Sequence, residues 1–549
     1  MPDADLAFVG GRIFTGHGRP SRPGAVAVAD GTIVAVGSDD DVKDLIGSST
    51  EVVELGDRLL SPGFHDSHIH PVYAGTDMAR CDLHGVISAD ECVAAVAAYA
   101  ERHPERLWIL GGGWSMEGFP GGMPTAALLD RVVPERPVFL PNRDGHSTWV
   151  NSRALELAGI TRETPDPADG RIERDEHGDP TGCLHEGAAA LVRDLVPPIA
   201  EEDNDRGLDV AQEYLFSLGI TGWQDAIIGA GDIGPDITDV YARAARDGRL
   251  KARVVGAIWW DRAAGLEQIP GILERRAKST GRFQATSVKI MQDGVAENYT
   301  AAMTEPYLDA CGCQTSNSGI SFVDPEVLGE AVVALDADGF QVHFHALGDR
   351  AVREALDALS LAREANGMND LRHHLAHIQV VHPDDIPRFA ALGVAANMQP
   401  LWACHEPQMD ELTIPYLGEP RWRWQYPFAA LERAGATLVA GSDWSVSTPD
   451  VMMGTHVAVT RTPPPEGDAS TDAEAFLPEQ ALTVEAALTA YTRGSAWVNH
   501  LDDTAGTIEE GKVADFALLE RDPFVVAPAE IGSIRVEQTF IDGERVFAR

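Results

Sequence analysis

Residues 61–70 read SPGFHDSHIH, so His65, Asp66, His68 and His70 follow directly behind a Pro-Gly turn. His68 and His70 stand at i and i+2. In a β-strand, side chains two apart leave from the same face, so both imidazoles could hold one ion. The stretch therefore predicts a metal site at the end of a strand.

Working outward, apolar runs that end in polar residues recur along the chain: LLSPGFHDSHIH, ITGWQDA, ARVVGAIWW, SVKIMQDG, FQVHFHALGD, HHLAHIQVV, VAANMQP and TLVAGSDW. Helical patterns separate most of them, such as DPEVLGEAVVALDADG before the fifth and DDIPRFAALG before the seventh. Eight such units predict a TIM-like (β/α)8 barrel in an α/β protein, with the polar ends at the face where barrel active sites are built. Short strand patterns with Asp-Gly hairpin signals occupy both chain ends: AVAVADGTIVAVG near the start, IRVEQTFIDGERVF near the finish. They predict a composite β-sandwich from residues 1–61 and 500–549 around a barrel of 62–74 and 206–499. The gap at 75–205 is too long for one crossover and has strand and helix patterns of its own, so it is read as an inserted α+β subdomain at the pocket. The acidic, Pro-rich stretch 461–480 is predicted to be a mobile loop.

At 549 residues the chain can bury a large core. Asp and Glu number 85 against 43 Lys and Arg, a net charge of −42, which disfavours nucleic acid or an anionic membrane and favours small neutral or cationic substrates. The bland reading of that charge is surface solvation. MPDADLAFVGGRIF has no basic segment followed by an apolar core, and no run long enough to cross a membrane occurs, so a cytoplasmic location is expected. Six cysteines are too sparse for a disulfide framework, and Cys311-Gly-Cys313 reads as loop rather than metal pair.

The chemistry gathers at the strand ends. Lys289 ends the fourth run, His345 the fifth, His377 the sixth and Asp443 the eighth, converging with His68 and His70 on one mouth of the barrel. Such a set suits one or two divalent ions, Zn²⁺ first among them. A lysine in an apolar strand is costly unless it has a task; CO₂-derived carboxylation would make Lys289 an anionic ligand able to bridge two metals. His343, His373 and His374 are assigned supporting or structural places. A metal lowers the pKa of a bound water to about 7, and Asp443 beside it could take that proton and pass it to a leaving group, which predicts hydrolysis.

These segments resemble the amidohydrolase superfamily over nearly the whole chain, although His65 stands where the family usually has an aliphatic residue. SVKIMQDGVAENYTAAM, VHFHALGDRAV, LAHIQVVHP, NMQP, GSDWSV, GHSTWVNSRALELAGI and TGCLHEGA are similar to the branch called amidohydrolase family 3, or YtcJ-like. The resemblance implies metal ligands at His68, His70, Lys289 (carboxylated), His345, His377 and Asp443, the last also as acid and base. Within the branch the chain resembles N-substituted formamide deformylases, implying a small amide substrate cleaved to amine and formate. Cyclic-amide or N-acyl hydrolysis and metal-dependent decarboxylation are the alternatives, with a non-catalytic metal-binding regulator more remote. Trp114, His146, Asn151, Asn298, Tyr299, Gln399 and Trp402 are candidate substrate-site residues, with Asn298 and Tyr299 as donors to an oxyanion. Glu186 is a candidate for orienting a ligand or for a buried ion pair, and a homodimer is an admissible assembly.

Overall fold

The computed structural model describes residues 4–78, 80–197, 201–229, 234–465 and 473–549. Eight parallel strands form the central sheet: Phe64–Ile69, Ile220–Ile228, Arg253–Trp259, Phe283–Met291, Gln341–Ala346, His374–His377, Ala395–Met398 and Leu438–Ala440. Their spatial order follows the chain from first to eighth. Beyond the short eighth strand the backbone reaches the first, because Asp443 N–H donates to the His68 carbonyl (2.7 Å) and His70 N–H to the Trp444 carbonyl (2.9 Å). The sheet thus curls into a nearly closed barrel. Every residue of the first, second, fifth, sixth and seventh strands is buried, as expected for strands covered on both faces. The two helices predicted from their spacing are present as Pro325–Ala337 and Ile386–Leu392.

The run LLSPGFHDSHIH is not one strand. It divides at Gly63: Leu59–Pro62 pairs antiparallel with Phe516–Leu519, while Phe64–Ile69 enters the barrel. A Cβ at Gly63 would lie 2.3 Å from Thr221 Oγ1, so only glycine lets the chain cross from one sheet to the other here.

Strands from both ends of the chain share one eight-stranded sheet. It curls back over its own core: Phe8 meets Phe516 and Phe540 edge-on, each with ring centroids 5.2 Å apart. The two leaves of the expected sandwich are therefore parts of one sheet. Both Asp-Gly signals are two-residue hairpin turns, with positive φ at Asp30 and Gly31 and again at Asp542 and Gly543. Arg253, on the third barrel strand, donates to Asp515 (3.0 Å) in this sheet and ties it to the barrel.

A third sheet of six strands, between Cys81 and Glu186, occupies the long gap after the first barrel strand. The helix Ser152–Ala158 beside it is capped by Asn151, whose side chain accepts from Ala154 N–H, and ends at Gly159 with φ +64°. Of the stretch 461–480, residues 466–472 lie outside the described residues; its flanks are anchored, with Arg461 Nε donating to the Phe476 carbonyl at 2.9 Å. No helix among the described residues is long and apolar enough to cross a membrane.

Candidate active site

The strand ends bring His68, His70, Lys289, His345, His377 and Asp443 to one mouth of the barrel. Asp443 Oδ1 is 3.0 Å from His70 Nε2 and 3.3 Å from His68 Nε2, and Oδ2 is 3.8 Å from His377 Nδ1. Lys289 Nζ lies 3.4 Å from His68 Nε2. The His377 ring is 4.6 Å from that of His68 and 4.4 Å from that of His345, centroid to centroid.

Whether a divalent ion fits can be judged from what these atoms lack. His70 Nδ1, His345 Nε2 and both ring nitrogens of His377 are buried without a hydrogen-bond partner. Buried polar atoms are seldom left so, since each costs a full desolvation penalty. Ligand atoms of His68, His70 and Asp443 lie within 4.8 Å of one another, a nitrogen-and-oxygen donor set of the kind zinc and related ions take. Burial, then Lys289, pushes the His68 imidazole down to about 3, and burial holds His345 and His377 well below the ordinary histidine range. All three are thus neutral and carry lone pairs at pH 7. Burial would raise the Asp443 carboxyl, but His68 and His70 more than offset it and keep the group ionised. Burial lowers the Lys289 amine to about 7 against the pull of Asp443. The residues present fit a divalent cation.

The scaffold around these groups is specific. Asp66, to which the sequence reading assigned no role, accepts from His68 N–H (3.0 Å) and Ser442 N–H (3.0 Å), so one carboxylate joins the first strand to the loop carrying Asp443. Burial pushes that carboxyl up to about 7. Its signal was a carboxylate inside the opening motif at a strand position where an apolar side chain would do. A Cβ at Gly441 would stand 2.6 Å from His68 N, so this approach too requires glycine. His377 and Asp443 have φ of 75° and 56°, left-handed values that cost roughly 1–3 kcal/mol each and are held by the surrounding hydrogen bonds. His343 Nε2 is 2.8 Å from His68 Nδ1 and fixes that ring. His374 Nδ1 lies 3.1 Å from Asn397 Nδ2 and its ring is 4.0 Å from that of His343, centroid to centroid, whereas His373 is paired with Asp336.

The other candidates divide. Trp114 is not a substrate residue: it is wholly buried in the core of the inserted sheet, packed edge-on to Phe119 and Trp149, with Nε1 donating to the Leu140 carbonyl (2.7 Å). Asn151 is likewise structural, spending its amide on the carbonyls of Val133 and Arg136. Gln399 is occupied as well: Oε1 accepts from His377 N–H (2.7 Å) and Nε2 donates to Asn397 Oδ1, so it positions His377 rather than offering groups to a ligand. Trp402 stacks on the His377 ring with an interplanar angle of 11°. Both amide atoms of buried Asn298 lack a partner, whereas Tyr299 packs against Tyr307 and Tyr416. His146 comes within 5.8 Å of the His345 ring, centroid to centroid, and its Nδ1 is 3.1 Å from both oxygens of Glu186. Burial opposes the charged form of His146, but Glu186 overrides it and raises the ring to about 9.

Known proteins resemble this chain along its length. YtcJ of Bacillus subtilis (strain 168), named for an amidohydrolase, is 32% identical over 98% of this chain and 99% of its own. The N-substituted formamide deformylase of Arthrobacter pascens is 27% identical over 98% of this chain and 97% of its own. The crystal structure of an uncharacterized metal-dependent hydrolase from Pyrococcus horikoshii OT3 superposes with a TM-score of 0.72 at 25% identity, covering 95% of this chain and 99% of that one. The family model Amidohydro_3, amidohydrolase family, matches residues 51–547. A match spanning the barrel, the inserted sheet and part of the terminal sheet makes this chain a member of the amidohydrolase family and a metal-dependent hydrolase.

Proposed function

We propose that the protein hydrolyses the C–N bond of an N-substituted formamide, R–NH–CHO, releasing amine and formate. The observation that carries the reading is Asp443, ionised and set between His68, His70 and His377. The likeness to the Arthrobacter deformylase supports the choice of amide.

His68, His70, His345, His377, Asp443 and Lys289 would hold one or two divalent ions, with Zn²⁺ the best match to imidazole and carboxylate. When bound, such an ion polarises the scissile carbonyl and makes water nucleophilic at neutral pH. The protein's own contribution starts with tautomers. His68 Nδ1–H can donate to His343 Nε2 across their 2.8 Å contact, which leaves His68 Nε2 as the lone-pair nitrogen facing Asp443. Lys289, held near neutrality by burial, is partly unprotonated at pH 7; the free amine adds CO₂ with loss of one proton to form a carbamate. Asp443 Oδ2 then takes a proton from the attacking water and returns it to the nitrogen as the C–N bond breaks. Asp66 and Gln399 keep the loops of Asp443 and His377 in register throughout.

The test is formate release from N-alkyl and N-arylalkyl formamides by Zn²⁺-loaded protein, with a chelated sample beside it. Formate and amine in equal amounts, abolished by chelation, is the expected result. A fully metallated sample that releases neither product from any member of the panel would overturn the choice of substrate.

A further inference from the structure

We infer that His146 and Glu186, carried by the inserted sheet, complete the catalytic centre: His146 donates a hydrogen bond from Nε2 to the acyl oxygen of the amide, and Glu186 holds the ring for that task. The inference rests on the amide-hydrolysis reading above.

Strand pairing places the two residues. Ser147 pairs antiparallel with His185, so their neighbours His146 and Glu186 also lie side by side, with Glu186 N–H donating to the His146 carbonyl (3.0 Å). Alternation along the strands separates two polar pairs. Ser147 Oγ and His185 Nδ1, 2.9 Å apart, are buried within the inserted sheet, whereas the His146 ring reaches the barrel mouth beside His345.

Two segments, the His146 strand and the loop after the Lys289 strand, converge on Glu186. Oε1 accepts from Thr300 Oγ1 (3.0 Å), in the loop that follows the Lys289 strand. A Cβ at Gly294 would stand 2.9 Å from the same oxygen, so the loop can approach only because glycine is there. Glu186 itself has φ of +50°, a left-handed conformation that a glutamate adopts only when its surroundings enforce it. A carboxylate with a side chain only 6% exposed needs positive charge or hydrogen bonds beside it; the His146 imidazole lies at 3.1 Å, and Arg262 also acts on the group. With Nδ1 committed to Glu186, Nε2 is the ring nitrogen left, and it makes no hydrogen bond to another described residue. The four histidines assigned to the ion must present lone pairs to it; His146 is the ring at the mouth that keeps an N–H for an oxygen gaining charge.

The metallated full-length chain is compared with H146L, H146Q and E186Q for turnover of N-butylformamide, affinity for methylphosphonate as a tetrahedral oxyanion, and metal content. H146L should lose about 10²–10³ in kcat with KM little changed, the scale of one missing oxyanion donor. H146Q, which retains an N–H donor, should recover part of that loss, and E186Q should fall between wild type and H146L. Methylphosphonate should bind at least about tenfold more weakly to H146L at unchanged metal content. A residue that only fills space would be served as well by leucine as by glutamine. If wild type releases no formate yet its methylphosphonate affinity still depends on His146, the substrate reading fails and the assignment of His146 stands. If neither turnover nor methylphosphonate affinity differs between wild type and H146L, the inference is overturned.

Discussion

His373, just ahead of one barrel strand, and His377, at that strand's end, lie four residues apart, and both are almost wholly inaccessible. The His373 Nδ1 accepts from Val342 N–H (2.9 Å) and Nε2 is 2.9 Å from Asp336, so the ring is satisfied on both sides. His377 has no hydrogen-bond partner at either ring nitrogen. Burial therefore does not distinguish them; satisfaction does. A satisfied buried histidine stabilises the fold, whereas an unsatisfied one beside other unpaired ligand atoms weakens it until a ligand arrives.

The contrast is broken most sharply at Asp443. Asp443→Asn keeps the shape but removes the proton carrier, so kcat should fall by about 10²–10⁴ while metal is largely retained; near-normal turnover in steady-state assays would remove its acid and base role. Chelation should next show that the unsatisfied rings depend on their ion. The apoprotein should melt earlier, by the equivalent of about 3–4 kcal/mol for an ion present at about 100–1,000 times its Kd, as read by calorimetry.

On the satisfied side, Asp336→Asn should cost about 1.5–3 kcal/mol in denaturant unfolding and leave kcat per folded molecule unchanged. The two kinds of group also differ in acid. Burial and Arg253 lower His65 to about 3, and burial and Lys289 do the same to His68, so in the apoprotein the unfolded chain binds protons there first as pH drops below 6.5. Stability should fall through that window by about 1.4 kcal/mol per pH unit for each such group. Asp336, kept at about 2 by His373, Asn369 and Asn366 against the effect of burial, behaves oppositely in range: its contribution is intact above 3.8 and lost only as pH falls towards 2. The smallest change is His65→Leu, which removes two buried, unpartnered ring nitrogens and should flatten the acid slope by one proton without lowering stability at pH 7.

Much of this was legible in the sequence because strands covered on both faces read as continuous apolar runs, and their ends carry the polar residues. The spacing of His343 and His345 shows that they share a face; it does not show that His343 sits at the ring of His68 while His345 sits at the mouth near His146. Sequence likewise left Gln399 and Trp114 looking like ligand-binding groups. Their hydrogen bonds to His377 N–H and the Leu140 carbonyl are long-range contacts that no local pattern encodes. The division at Gly63 was hidden for a similar reason: both halves of the run are extended, and only their separate partners distinguish them.

If the unsatisfied ring nitrogens around Asp443 belong to a metal centre, the purified protein holds an ion that depends on the neighbouring His68 and His70. Metal content per chain, measured by elemental analysis on wild type and on the double variant His68→Ala/His70→Ala, tests it most directly. At least one divalent ion is expected in wild type and essentially none in the variant. Equal metal content in the two proteins would contradict it.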